Sequence, residues 1–159
     1  MKKGTHRFFP LFVDIAGKNV LIIGGGNLAL RRTRTLLQFD VRIHIIAKKL
    51  HSELETLAAE HGINVEQRPF RGGDCSALFG RPFFVIAATD RREVNSAVAG
   101  ECSAQNIPVS VADCKEESTF YFPATAVTGT IVAGICSGGN DHSAVKAAAA
   151  KIREAIESK

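Results

Sequence analysis

Short apolar runs alternate with amphipathic stretches along the first two thirds of this 159-residue chain. The apolar runs are Val20–Ile23, Val41–Ala47, Phe83–Ala88 and Val109–Ala112, with a weaker one at Ile63–Gln67. Strands that are buried on both faces of a sheet appear as continuous apolar runs rather than as alternating ones. Because helical patterns separate these runs, the sequence predicts successive βαβ units and a parallel sheet.

Four helices are predicted between the strands. They cover Leu28–Phe39, Ser52 to Gly62, Asp74–Phe79 and Asp90 to about Gln105. Ser52 and Glu55 have the spacing of a capping box, and Asp90 is expected to cap the fourth helix.

The last third of the chain has a different pattern. Two β-type runs, Phe120–Val127 and Thr130–Ser137, flank Thr128-Gly129 and predict an antiparallel hairpin, and a helix is expected from His142 to Glu157. We therefore expect an α/β fold with a Rossmann-type, doubly wound, mostly parallel sheet, followed by a hairpin and a helix. The expected domains are a dinucleotide-binding domain over residues 1–137 and the start of a truncated helical region over residues 138–159.

Composition and charge narrow the choice of function. The apolar fraction of 45% and the charged fraction of 23% are those of a globular protein. No apolar run approaches the roughly 20 residues of a membrane helix, and the N-terminus does not resemble a signal peptide, so we expect a cytoplasmic protein without a membrane partner. The net charge of +4 comes without a long Lys/Arg block, which argues against nucleic acid and favours a small anionic ligand.

Cysteine and histidine positions do not indicate a metal site. The cysteines are Cys75, Cys102, Cys114 and Cys136, and none forms a C-x-x-C pair. The five histidines are scattered and match no ligand spacing. We expect reduced thiols in or near the core and no bound metal.

The turn after the first strand has the pattern of a dinucleotide site. Gly24-Gly25-Gly26-Asn27-Leu28-Ala29 follows an apolar strand and opens a helix. In such a motif the first glycine permits a tight turn, the second lets a pyrophosphate approach the backbone, and the small last residue lets helix and strand pack closely. A plain structural turn is the competing interpretation.

The acid that usually binds the ribose 2′-hydroxyl about 20 residues later is missing. Lys48 and Lys49 stand there instead. Either backbone and lysine donors hold the ribose, or the lysines receive the 2′-phosphate of NADP, or both lysines face solvent. The sequence does not choose between NAD and NADP.

Other candidate residues follow later strands. Asp113 comes directly after Val109–Ala112, where its carboxylate can face the ligand crevice, although aspartate after a strand also caps turns. Ser137-Gly138-Gly139 precedes the last helix and either binds a substrate carboxylate or only forms a turn. Arg31 and Arg32 either face an anionic substrate or the solvent, and we expect them to face solvent.

Several separated motifs give the chain a family resemblance. In order they are Phe9-Pro10-Leu11-Phe12, Gly17-Lys18, Ile23-Gly24-Gly25-Gly26-x-x-Ala29-x-Arg31-Arg32, Ala87-Ala88-Thr89-Asp90, Asp113, Phe122-Pro123-Ala124 and Ser137-Gly138-Gly139. Together they resemble the precorrin-2 dehydrogenase family, the NAD-binding module of siroheme synthases. The resemblance extends from about Phe9 to Lys151.

The resemblance implies an activity: NAD-dependent oxidation of precorrin-2, a tetrapyrrole, to sirohydrochlorin. It places the cofactor at Gly24-Gly25-Gly26-Asn27-Leu28, at Lys48-Lys49 and at Ala88-Thr89-Asp90, and it implies that Asp113 is a general base. A substrate role for Ser137, Gly138 and Gly139 and a homodimer are compatible with it. Some members also insert ferrous iron, but we expect weak or no insertion here.

Departures from the family pattern keep a rival interpretation open. Asp113-Cys114-Lys115 replaces the usual Asp-x-Pro, and Asn140-Asp141-His142-Ser143 replaces the usual Ser/Thr-Pro after the glycine pair. The rival is a nucleotide-sensing Rossmann module without catalysis, which would keep the glycine turn but would need no base at position 113.

Overall fold

A computed structural model describes residues 8–77, 80–138 and 141–157 of the chain. The chain divides into two compact units. The sheet unit comprises residues 15–120, and the hairpin unit comprises residues 8–14 together with 121–157. Gly139, together with residues 78–79 of the third predicted helix, lies outside the described residues. The expected domain boundary at residues 137–138 stays a prediction.

A five-stranded parallel sheet forms the centre of the sheet unit. Its strands are β1 (Asn19–Ile23), β2 (Arg42–Ile46), β3 (Asn64–Glu66), β4 (Phe84–Ala87) and β5 (Val109–Val111). Their order across the sheet is β3-β2-β1-β4-β5, and all four pairings are parallel. This is the Rossmann order, in which the direction of winding reverses between β1 and β4 and opens a crevice at the carboxyl ends of those strands. The predicted α/β fold is confirmed.

Helices connect successive strands of the sheet unit. They are α1 (Asn27–Leu36), α2 (Ser52–His61), the short α3 (Asp74–Ala77) and α4 (Arg92–Ala104). A 3₁₀ turn over Leu37–Phe39 extends α1 to the predicted end at Phe39. Gly62 ends α2 as predicted, with a φ of 61° and its N–H donating to the Ala58 carbonyl. Glycine adopts this left-handed conformation without steric cost, which explains the stop.

Two predicted helix caps are wrong. The cap of α2 is His51, whose Nδ1 accepts a hydrogen bond from the Glu53 N–H, so Ser52 is already inside the helix. The His51 N–H donates to the Gly25 carbonyl, and this contact fixes the chain one residue before the expected cap. At α4 the cap is Arg91 rather than Asp90, since the Arg91 carbonyl accepts the first helical N–H groups, those of Val94 and Asn95.

Branched aliphatic side chains make up the core of the sheet unit. Ile22, Ile45 and Val85 on the three central strands are inaccessible to solvent. A cluster on one face of the sheet combines strand residues such as Leu21 and Val109 with side chains of α3 and α4. Burying one such side chain stabilises a fold by about 1.5–3 kcal/mol, so this layer accounts for much of the unit's stability.

The four cysteines are unbridged. Cys75 and Cys102 are buried in the core and Cys114 is partly buried, whereas Cys136 is exposed, so the expected position in or near the core is wrong for Cys136. Hydrogen bonding with Cys102 and burial both raise the pKa of the Cys75 thiol, so that thiol stays protonated.

The hairpin unit contains the predicted hairpin and last helix. Strands β6 (Ala124–Thr128) and β7 (Ile131–Ile135) pair antiparallel, and helix α5 runs from His142 to Glu157. The Arg153 guanidinium donates to the Thr125 carbonyl at 3.0 Å, which ties α5 to β6. No helix in the described ranges is long and apolar enough to cross a bilayer.

Candidate functional site

The turn between β1 and α1 is closed by packing against two neighbouring strand ends. The Gly24 N–H donates to the Ile46 carbonyl, and Gly24 has a φ of 126°. A Cβ atom on Gly24 would lie 2.2 Å from the Ala88 carbonyl oxygen, and one on Gly25 would lie 2.2 Å from the Lys49 carbonyl oxygen. Both positions therefore exclude any side chain. Gly25, the variable position of the motif, is as constrained as Gly24.

The third glycine of the turn is open to solvent. Gly26 is exposed, and a Cβ atom there would meet nothing within 4 Å. It is the N-cap of α1, it offers no capping side chain, and the first turn of α1 contains no acidic residue. The first N–H groups of a helix lack partners within the helix and attract anions. This end of α1 thus fits the pyrophosphate of a dinucleotide.

The residues at the start of α1 differ in how far they are exposed to solvent. Asn27 is exposed, Leu28 is half-buried and Ala29 is fully buried, as the close helix–strand packing at the end of the motif requires. Arg31 is exposed, in line with the expected solvent-facing position, whereas Arg32 is partly buried. Burial, and to a smaller extent the Arg31 charge, lowers the pKa of Arg32 to about 10.

Lys48 and Lys49 leave the carboxyl end of β2 beside the glycine turn, and both are exposed. The closeness of the Lys49 carbonyl to Gly25 fixes the backbone of this segment against the turn. Lys48 is also near the start of α4. The pKa of Glu93 is lowered by its own backbone N–H and the Arg91 side chain, and in smaller part by the charges of Arg91 and Lys48.

Asn95 fixes the segment after β4, where Ala88, Thr89 and Asp90 lie. Its side chain is completely buried, and its Oδ1 accepts both the Thr89 N–H at 3.1 Å and the Thr89 hydroxyl at 2.7 Å. Its Nδ2 donates to the Thr89 carbonyl at 3.0 Å. Asn95 was not identified from the sequence, because a single asparagine inside a helix pattern gives no signal of a tertiary contact.

Asp113 follows β5 at the same edge of the sheet, two residues after Val111. Its Oδ1 lies 3.2 Å from the Arg92 guanidinium, and a second nitrogen of that guanidinium donates to Glu117. The Asp113 carboxylate is about one third exposed, with 36% of the side chain accessible. Neither Arg92 nor Glu117 was identified from the sequence.

The sheet therefore brings most of the predicted site residues to one edge. The glycine turn, Lys48-Lys49, Ala88-Thr89-Asp90 and Asp113 follow β1, β2, β4 and β5, whose carboxyl ends are adjacent because the strands are parallel neighbours. Ser137 and Gly138 belong to the hairpin unit. There the Ser137 hydroxyl accepts the Asp141 N–H at 3.0 Å, an arrangement typical of a turn that precedes a helix.

A family comparison agrees with this geometry. The profile of the NAD(P)-binding family NAD_binding_7 matches residues 11–124, which include the whole parallel sheet. The chain belongs to this family. Residues 11–124 contain every predicted cofactor residue of this NAD(P)-binding domain, while Ser137-Gly138-Gly139 lies beyond the match.

Similar proteins come from siroheme biosynthesis. The chain is 42% identical over 147 residues to the "Probable multifunctional siroheme biosynthesis protein HemA" of Ruminiclostridium josui, covering 92% of this chain and 28% of that protein. It is 38% identical over 134 residues to the "Siroheme synthase" of Ectopseudomonas mendocina, covering 84% of this chain and 28% of that protein. The chain thus spans a little over a quarter of the length of these relatives.

A solved structure shows the same fold. The precorrin-2 dehydrogenase SirC superimposes with a TM-score of 0.71 at 24% sequence identity, covering 95% of this chain and 70% of SirC.

Proposed function

We propose that this NAD(P)-binding domain oxidises precorrin-2 to sirohydrochlorin with NAD⁺ as the hydride acceptor. The central observation is that a dinucleotide turn and a strand-end carboxylate, Asp113, share the carboxyl edge of one sheet. Relatives named for siroheme biosynthesis and the fold of a precorrin-2 dehydrogenase support the choice of substrate.

The reaction removes two electrons and two protons from the tetrapyrrole. One proton leaves with both electrons as a hydride, and bound NAD⁺ supplies the acceptor for it. The other proton needs a base, and the Asp113 carboxylate is the group that we assign to accept it. The start of α1 binds the pyrophosphate through backbone N–H groups, and the Asn95–Thr89 contacts fix the segment after β4.

Asp113→Asn tests the assignment of the base. The substitution keeps the shape of the side chain but removes its basicity, so we expect turnover to fall by about 10²–10⁴-fold. The assay follows NAD⁺ reduction with precorrin-2 under anaerobic conditions, normalised to the folded fraction. Asp40→Asn is the matched control, because Asp40 is an exposed turn residue that asparagine can replace in the left-handed region.

The outcomes separate the candidate functions. Near-normal turnover in folded Asp113→Asn would exclude Asp113 as the base. A wild-type chain that binds NAD⁺ but does not oxidise precorrin-2 would instead favour the nucleotide-sensing module. Loss of stability with normal turnover per folded molecule would mean that Asp113 only caps a turn.

The preferred nucleotide is NAD⁺ rather than NADP⁺. The exposed Lys48 and Lys49 are the reason to consider a preference for NADP⁺ instead, since its 2′-phosphate would form charge-assisted contacts with them. Calorimetry with both nucleotides at two salt concentrations decides the matter. Tighter NADP⁺ binding that weakens strongly with salt, and that Lys48→Ala or Lys49→Ala abolishes, would contradict the NAD⁺ assignment.

The remaining expectations are part of the same proposal. We place the reaction in the cytoplasm, and we expect a homodimer, which sedimentation would test. We also propose that Ser137, Gly138 and Gly139 contact a substrate carboxylate, so Ser137→Ala should raise KM for precorrin-2 and leave NAD⁺ affinity unchanged.

A further inference from the structure

Arg92 occupies a position that helix stability does not explain. It is the first residue of α4, where a positive charge opposes the helix dipole. Its guanidinium bridges two carboxylates that follow β5, lying 3.2 Å from Asp113 and donating through a second nitrogen to Glu117. The side chain is directed towards the carboxylate that we assign as the base.

Glu117 belongs to a segment that is fixed along the edge of the sheet. The Val111 N–H donates to the Ser118 hydroxyl at 2.9 Å, and the Val109 N–H donates to the Thr119 hydroxyl at 2.8 Å. The second oxygen of the Glu117 carboxylate is buried and has no hydrogen-bond partner among the described residues. The Glu117 carboxylate thus contacts Arg92 from a segment that hydrogen bonds attach to β5.

We infer that Arg92 is a positioning residue that fixes the Asp113 carboxylate for proton abstraction, and that Glu117 in turn fixes Arg92. A planar guanidinium can engage two carboxylates at once through separate nitrogens, whereas a lysine is a point charge. The inference rests on the proposed function, because it assigns a role to Asp113 in that reaction.

A positioning role predicts a loss of kcat without a loss of cofactor binding. Arg92 contacts the carboxylate that we assign as the base, whereas we assign the cofactor to the glycine turn. The loss of Arg92 should therefore slow proton removal and leave KM for NAD⁺ unchanged. Cys114, Lys115 and Glu116 lie on the segment between the two carboxylates and remain unchanged in the variants.

We expect Arg92→Ala to lower kcat about tenfold. Glu117→Gln leaves Arg92 with an uncharged and weaker acceptor, so it should lower kcat by a smaller factor. Arg92→Lys should recover part of the lost kcat, because it keeps a positive charge, while KM for NAD⁺ stays the same in all three variants.

The neighbouring arginine provides the matched control. Arg91 pairs with Glu93 instead of Asp113, so Arg91→Ala should leave kcat unchanged. A thermal melt of each variant confirms that it is folded. An unchanged kcat in folded Arg92→Ala, or an equal loss in Arg91→Ala, would overturn the inference.

A carboxyl-carbon NMR spectrum of the free protein at constant pH, with Asp113→Asn to assign the signal, separates this inference from the proposed function. The Asp113 signal should change its chemical shift in Arg92→Ala and keep it in Arg91→Ala, because only Arg92 contacts this carboxylate. If the signal responds in this way but the wild type does not oxidise precorrin-2, the contact stands and the proposed function fails. If the wild type is active and the signal does not respond to Arg92→Ala, the inference about Arg92 fails alone.

Discussion

The sheet unit and the hairpin unit differ in how they bury apolar surface. Every buried hydrophobic residue of the described chain lies in the sheet unit except Ala126 and Ala149. Most of the large exposed apolar side chains lie in the hairpin unit, with Phe9 88% and Phe12 70% accessible. Branched side chains in a dense layer stabilise the first unit, whereas backbone pairing and small side chains stabilise the second. The proposed cofactor residues lie in the unit with the dense core.

Gly24→Val should have the largest effect, because it distorts the turn that connects the core of the sheet unit to the proposed cofactor site. The new Cβ atom would overlap the Ala88 carbonyl, and the φ of 126° is one that valine rarely adopts. We expect a loss of more than about 4 kcal/mol, measured by thermal or urea unfolding.

Gly26→Val is the matched variant two residues later. Its Cβ atom has open space and its φ of −85° is ordinary, so the cost should be about 1 kcal/mol, that of a poorer helix N-cap. NAD⁺ affinity measured by calorimetry should nevertheless fall at least about tenfold, since the side chain occupies the path of the pyrophosphate. Unchanged binding in the folded variant would exclude this turn as the cofactor site.

A pair of isoleucines tests the comparison of the two units directly. Ile86 on β4 is 2% exposed, and Ile86→Ala should cost about 2–5 kcal/mol through lost burial and the cavity that remains. Ile135 on β7 is only partly buried, so the same substitution there should cost about 1 kcal/mol or less. Equal losses in urea unfolding would show that the hairpin unit has a core of its own.

The sequence was sufficient to predict the strands, because five apolar runs and their helical spacers are local patterns. The glycine turn was also predictable, since its motif stands between a strand and a helix. The expected cap at Ser52 was wrong because of a remote contact, in which the His51 N–H donates to the Gly25 carbonyl and fixes the chain before the helix. The expected cap at Asp90 was wrong by one residue, because the Arg91 carbonyl accepts the first helical N–H groups, and the pattern of residues does not distinguish these two neighbours.

Tertiary contacts also explain which site residues were missed. Asn95 and Arg92 lie in one helix and act on two different strand ends. Asn95 contacts Thr89, six residues earlier in the segment after β4, and Arg92 contacts Asp113, 21 residues later in the segment after β5. Neither contact has a local pattern. The need for glycine at position 25 was missed for the same reason, because the Lys49 carbonyl that excludes a side chain there belongs to another strand end.

The smallest predicted effect concerns a histidine inside the core of the sheet unit. His44 on β2 is 6% exposed, and its ring nitrogens contact Asn19 and Asn64 at 3.3 and 3.4 Å. Burial, and secondly the charge of Arg42, lowers the pKa of His44. The unfolded chain therefore binds a proton more readily than the folded one, and the stability that depends on neutral His44 is lost as the pH falls below about 6.5.

When the pH is lowered from 7.5 to 5, the melting temperatures of the wild type and of His44→Gln should both fall. We expect the drop of the wild type to be larger by on the order of a few degrees, because glutamine at position 44 cannot titrate. His142→Gln is the control from the hairpin unit, because His142 is exposed at the start of α5. It should retain the full pH dependence of the wild type. If His44→Gln and His142→Gln lose stability equally on acidification, buried His44 does not couple protonation to the folding of the sheet unit. The difference in burial between the two units would then have no counterpart in how their histidines affect stability.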